Sequence, residues 1–301
     1  MATRPDQKDA VTPGPIVSIP RTADGPAAKH APDAAPVAPA PRPGEPSKDT
    51  MLACRYELKY RIGEAKARAL AAYVREYLPQ DRYAQLRPDG QYPITSLYLD
   101  SNQLTLCRET LEKKKNRFKL RVRGYSDNPE TPVFFEIKRR INNVIIKSRA
   151  RAMHEHVPVV LAGRELPPVK FKTDVKALRQ FQFYARLLNV RPMVLVRYMR
   201  EAYEGQGDNR VRVTFDRQLC YCVTTEPRVR LGGPGWYPVP VDFVILEIKF
   251  TSRFPAWLSK MVQAFSLNWT AMSKYASCVR QSVMSGFGAP QVCEVPQILY
   301  V

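Results

Sequence analysis

Residues 118–125, FKLRVRGY, alternate without a break: Phe118, Leu120 and Val122 fall on one parity, Lys119, Arg121 and Arg123 on the other. Successive side chains of a β-strand point to opposite faces, so this segment has one apolar and one cationic face. A solvated strand face would account for it taken alone. The pattern recurs, however. Glu57 and Lys59 share a parity in YELKYRI, as do Glu136, Lys138 and Arg140 in VFFEIKRR, and Lys147 and Arg149 in VIIKSRAR. Arg210 and Arg212 do so in NRVRVTF, and Glu247 and Lys249 in VILEIKF. A sheet built from such strands gathers cations on one side, and they repel one another unless something anionic neutralises them.

The remaining segments supply the covering layer. GEAKARALAAYVREYLPQD places Ala65, Ala69, Leu70, Tyr73 and Leu78 on a helical stripe that stops at Pro79. TDVKALRQFQFYARLLNV begins with a Thr/Asp start and carries Leu178, Phe181, Tyr184, Ala185 and Leu188 on one side. Shorter helices are predicted around NQLTLCRETLEKKKN, PAWLSKMVQAFSLNW and MSKYASCVRQSVM, and further strands at YPITSLYLD and RPMVLVRYMREAY. The fold class is α+β, with helices on the apolar side of an antiparallel sheet.

Charge points to the partner. Lys and Arg number 47 against 28 Asp and Glu, a formal net charge of +19, while residues 1–50 hold six of each sign. The whole excess therefore lies in residues 51–301 and calls for an anionic partner. Residues 1–50 contain 11 of the 27 prolines and no aromatic residue, the composition of a disordered leader. The expected organisation is this leader, a single domain over 51–286 and a tail over 287–301. No segment reaches the roughly 20 apolar residues of a membrane span, and the expected location is cytoplasmic.

Metal-binding spacings are weak. Cys54, Cys107, Cys220, Cys222, Cys278 and Cys293 lack paired CxxC spacing and are expected as reduced thiols, with Cys220 and Cys222 in a core strand. His154 and His156 around Glu155 form a metal-like cluster better read as a loop or strand edge. Lys113–Lys115 are expected at a solvated helix end.

Two arrangements fit the charged parity. An open sheet could display its cations outward, as nucleic-acid-binding sheets do, or the sheet could close into an antiparallel barrel of about eight strands with the charges inside, under flanking helices. Base stacking needs exposed aromatics, which the charged faces largely lack, so the closed barrel is favoured and no specific nucleic acid is expected. FFEIKRR and ILEIKFT also share an apolar-apolar-Glu-Ile-Lys core, as two halves of one barrel would.

The ordered set RYELKY, KLRVRGY, FFEIKRR, IIKSR, VRYMREAY, RVRVTFD, ILEIKF and MSKY resembles the VTC domain, the polyphosphate polymerase domain of the vacuolar transporter chaperone family, within the triphosphate tunnel metalloenzyme (CYTH-like) superfamily. The likeness runs from about residue 51 to about 285 and is of the bacterial stand-alone type. It implies a basic tunnel in which Arg121, Arg123, Arg200 and Arg212 are catalytic. Lys59, Lys138, Lys147, Lys249 and Lys274 would contact phosphates, and Glu247 would hold Mn2+ or Mg2+, with Glu57 and Glu136 as further candidate ligands. The implied partners are ATP and inorganic polyphosphate; nothing in the chain indicates a protein partner.

The hydrolytic relatives open with Glu-x-Glu-x-Lys, whereas here the stretch reads Arg55-Tyr56-Glu57-Leu58-Lys59. Exchange of a carboxylate for a cation removes a metal ligand and favours the polymerase branch. The competing readings are a tunnel triphosphatase or polyphosphatase, and a non-catalytic polyanion-binding module. Arginine suits any of the three, because its planar fork pairs with phosphate oxygens at every working pH.

Overall fold

A computed structural model describes residues 56–142, 144–205, 210–251 and 253–287. The leader over residues 1–50, Cys54, Cys293 and nearly all of the C-terminal tail lie outside them. The chain runs β1 (Tyr56–Ile62), α1 (Glu64–Arg75), α2 (Arg82–Gln85), β2 (Gln91–Asp100), α3 (Thr105–Leu111), β3 (Asn116–Gly124), β4 (Pro132–Ile141) and β5 (Val144–Met153). It continues through α4 (His156–Leu161), α5 (Lys172–Leu187), β6 (Arg191–Glu204), β7 (Arg212–Val223), β8 (Tyr237–Pro238), β9 (Val244–Phe250), α6 (Ala256–Ala264) and α7 (Lys274–Met284). None of the described helices is long and apolar enough to cross a membrane.

The strands form one antiparallel sheet in the order β1-β9-β7-β6-β2-β3-β4-β5, with β8 added beside β7. The expected barrel is not closed by hydrogen bonds: among the described residues no ladder joins β1 to β5. Ion pairs span the gap instead, since Lys138 Nζ on β4 lies 2.7 Å from Glu57 Oε2 on β1. The sheet is curled enough for its two ends to meet through side chains.

Register places the alternating residues as their parity requires. Lys59 faces Glu247, Arg121 faces Glu136, and Glu136 faces Arg149 across adjacent strands. On the opposite, convex side, Tyr60, Ile62, Phe215, Leu246 and Ile248 pack with Leu70 and Val74 of α1 and Leu258 and Met261 of α6. Val122, Phe135, Ile137 and Ala150 pack likewise beneath α4 and α5, with Phe135 edge-on to Phe181 at 5.1 Å.

Helix α7 takes a different seat. Tyr275, Ala276, Val279 and Val283 pack against Ile94, Tyr98, Val194, Val196, Tyr198 and Tyr221. Ile94 and Tyr98 share the parity of Ser96, which lies opposite Arg123, so α7 rests on the same concave face as the cations. Its Tyr275 ring stacks on Tyr98 at 4.6 Å, and its hydroxyl donates to Asp100 Oδ2 at 2.6 Å. Asp100 also accepts the backbone N–H groups of Ser101, Leu106 and Cys107, so one buried carboxylate ties β2, α3 and α7 together. Asp100→Ala is expected to cost roughly 3 kcal/mol of stability, read as a lower urea midpoint, because charge-assisted hydrogen bonds are lost and their donors stay buried.

Candidate functional site: a cation-lined concave face

Beyond the apolar floor under α7, the concave face carries charged groups in four clusters. The first surrounds Glu136, whose side chain is 1% exposed. Arg121 Nη2 and Lys147 Nζ each lie 2.7 Å from it, with Arg149 Nε at 3.5 Å and Arg123 Nε at 3.9 Å. Burial pushes the Glu136 carboxyl up, but Lys147, Arg121, Arg123 and Arg149 outweigh it and hold the group well below the usual range. One acid thus sits among four cations.

The second cluster straddles the ends of the sheet. Glu57 accepts from Lys138 at 2.7 and 3.0 Å and lies 3.1 Å from Lys59, while Glu247 lies 2.7 Å from Lys249. Burial and the neighbouring Glu247 push Glu57 up, yet Lys138, Lys59 and Lys249 bring it down to about 2. Glu247 is likewise held well below its ordinary value: burial opposes ionisation, and Lys249, Lys59, Lys274 and Lys138 overcome it. Both carboxylates are anions at any working pH.

In the third cluster Arg200 donates to Asp216 through both arms of its fork, at 2.6 and 2.7 Å, and Lys274 from the first turn of α7 meets the same carboxylate at 2.6 Å. The fourth is centred on Arg212, which stands opposite Lys249 across β7 and β9. Arg212 is held by Glu204 at 2.8 Å and Asp81 at 2.7 Å, with its side chain 28% exposed and the Tyr92 hydroxyl 3.2 Å away. The structure therefore does not bring Arg200 and Arg212 together on one partner.

The strand residues singled out from the sequence lie on the charged parity, and Lys274 reaches that face from α7. Asp216, Arg149 and Lys119 complete the clusters and were absent from the candidate set, although each shares its strand's parity with a residue that was in it. Lys119 donates from Nζ to Ser273 Oγ at 2.9 Å, at the α7 cap. Lys113–Lys115 are exposed in the turn between α3 and β3, as expected. His154 and His156 bracket the corner from β5 into α4, and Cys107, Cys220, Cys222 and Cys278 are free thiols.

No group of three or more His, Cys, Asp or Glu side chains among the described residues could hold a metal ion by itself. Glu247 and Glu57 nevertheless fit a hard divalent cation that takes one or two carboxylates and completes its shell with phosphate oxygens. They lie two residues out of register on adjacent strands, share a face and are both ionised.

The curled antiparallel sheet gathers Arg and Lys side chains around a few carboxylates on its concave face, an arrangement that can hold an anionic ligand. Residues 54–283 match the family profile described as the VTC domain, and the chain belongs to that family. Vacuolar transporter chaperone complex subunit 4 of Schizosaccharomyces pombe is 24% identical to it over 254 residues, covering 70% of this chain. The chain spans about a third of that relative, 34% of its length. Solved structures similar to the chain include a candidate adenylate cyclase from Bacillus halodurans, with a TM-score of 0.42 and 11% identity over 73% of this chain and 94% of that one. Another is a candidate adenylyl cyclase from Hippeastrum described with a dominant triphosphatase activity, with a TM-score of 0.39 and 13% identity over 78% and 97% of the two chains.

Proposed function

We propose that this protein is a polyphosphate polymerase that transfers the γ-phosphoryl group of ATP to the end of an inorganic polyphosphate chain lying along the concave face. The observation that carries this reading is the excess of cations over acids on that face: Glu136 alone is shared by Arg121, Arg123, Lys147 and Arg149. Polyphosphate carries about one negative charge per unit and matches a linear array of fixed cations. Family membership supports the same substrate class.

In this mechanism Lys59, Lys138, Lys147, Lys249 and Lys274 grip the chain and the donor phosphates. Arg121, Arg123 and Arg200 stabilise charge on the equatorial oxygens of the phosphoryl group in transit, and Arg212 guides the donor from its more exposed position. Glu247, with Glu57 beside it, would hold Mn2+ or Mg2+, which supplies Lewis-acid polarisation of the phosphoryl oxygens when bound, whereas Glu136 lies in a separate cluster among its four cations. Glu57 and Glu136 serve chiefly to orient the ammonium and guanidinium groups they touch. No general base is needed, because the attacking terminal phosphate is already an anion.

Glu247→Gln separates catalysis from binding. The variant is expected to lose turnover of ATP by at least about a hundredfold while binding tripolyphosphate, without metal, at least as tightly as the parent, since a negative charge has left the site. Unchanged turnover in Glu247→Gln would overturn the assignment of this carboxylate to the reaction.

A further inference from the structure

Resting on that reading, the structure points to one more ligand for the chain. We propose that Lys119 is a phosphate-binding residue that rests on Ser273 when the concave face is empty and turns its ammonium to a phosphate oxygen when the face is filled.

The case begins with partners. The other cations of the clusters each lie within 4.0 Å of a carboxylate, from Lys59 on Glu57 to Lys274 on Asp216. Among the described residues Lys119 has none, and there its amine hydrogen-bonds to the Ser273 hydroxyl, a neutral oxygen. Its surroundings are adverse. Lys138 stands directly opposite it on β4, where like charges destabilise a cross-strand pair. Ser273 caps α7, accepting the Ala276 N–H at 3.3 Å, so Lys119 also faces the positive end of an 11-residue helix. A buried cation with like-charged neighbours and no counter-ion is stable only marginally; a phosphate oxygen there relieves every one of these repulsions.

Neighbouring groups set the protonation of the empty form. Burial first, then Lys59 from β1, Lys138 from β4 and Arg117 from its own strand, lower the Lys119 amine well below the ordinary lysine range. The Cys107 thiol of α3 acts in the opposite sense, and the Lys274 ammonium of α7 is engaged by Asp216. An amine lowered in the empty protein and restored beside an anion takes up a proton as the anion binds. Affinity for phosphate chains then falls as pH rises.

The test is calorimetry of tripolyphosphate binding, without metal, in two buffers of different ionisation enthalpy, on the full chain and on Lys119→Gln. The expected result is binding weaker by about tenfold to a hundredfold, the worth of a charged hydrogen bond, with smaller proton uptake than in the parent. The empty Lys119→Gln variant should melt no lower than the parent, because the amine it replaces is paired with no carboxylate and stands opposite Lys138. Ser273→Ala, which removes the resting partner and leaves the ammonium, should keep the parent's affinity within a few-fold. A variant that melts lower and binds tripolyphosphate with unchanged affinity and proton uptake would make Lys119 a structural residue and overturn the proposal. Because binding is read without ATP or turnover, this outcome is independent of whether the protein polymerises or hydrolyses.

Discussion

Glu136→Gln is expected to destabilise the ligand-free protein by roughly 3–5 kcal/mol, the range for breaking a buried ion pair by removing one partner. The carboxylate is almost fully buried and lies within 4.0 Å of Arg121, Arg123, Lys147 and Arg149, so its loss leaves four cations facing one another with no fixed anion between them. Glutamine keeps the shape and removes only the charge. The deficit should be recovered by added tripolyphosphate, which brings anionic oxygens to the same four cations from the concave side. Chemical denaturation with and without tripolyphosphate measures both effects. A variant as stable as the parent without anion would show that hydration, not Glu136, neutralises the cluster.

Arg200→Ala should cut turnover by about a hundredfold to a thousandfold, the loss that follows removal of one preorganised donor to a developing charge. Its fold cost should be small by comparison, because Asp216 retains Lys274 at 2.6 Å and is not left unpaired. Arg200→Lys should recover little of the activity. With Nε and Nη2 engaged by Asp216, the remaining N–H groups of the planar guanidinium would face a phosphoryl group, and an ammonium cannot bind both partners in this way. Steady-state kinetics on both variants beside their melting curves decides the matter. Parallel losses of stability and activity would make Arg200 a structural partner of Asp216.

Much of the site was legible as parity. Alternation in FKLRVRGY, FFEIKRR and ILEIKF put Arg121, Arg123, Glu136, Lys138, Glu247 and Lys249 on one face, and the ladders place them there. Parity does not say which strands meet at the edges. The missing ladder between β1 and β5 therefore could not be read from the strands taken one at a time. The seat of α7 was half legible. Ile94, Ser96 and Tyr98, with Val194, Val196 and Tyr198, occupy the charged parity without a charge, which marks part of the concave face as apolar and in need of a cover. What covers it is a tertiary fact. The helical stripe of KYASCVRQSVM fits either side of the sheet, and only the pairing of Tyr275 with Asp100 and of Lys274 with Asp216 identifies the inner one. The same placement explains Lys119, whose cap contact depends on where α7 begins.

Product identity tests the central claim most directly. Purified protein incubated with ATP and Mn2+ should yield phosphate chains longer than the triphosphate of the donor, resolved on a polyphosphate gel, with ADP formed in step and little free phosphate. Stoichiometric free phosphate with no chains would contradict the polymerase and assign the concave face to hydrolysis, and neither product would leave it a surface that binds polyanions without acting on them.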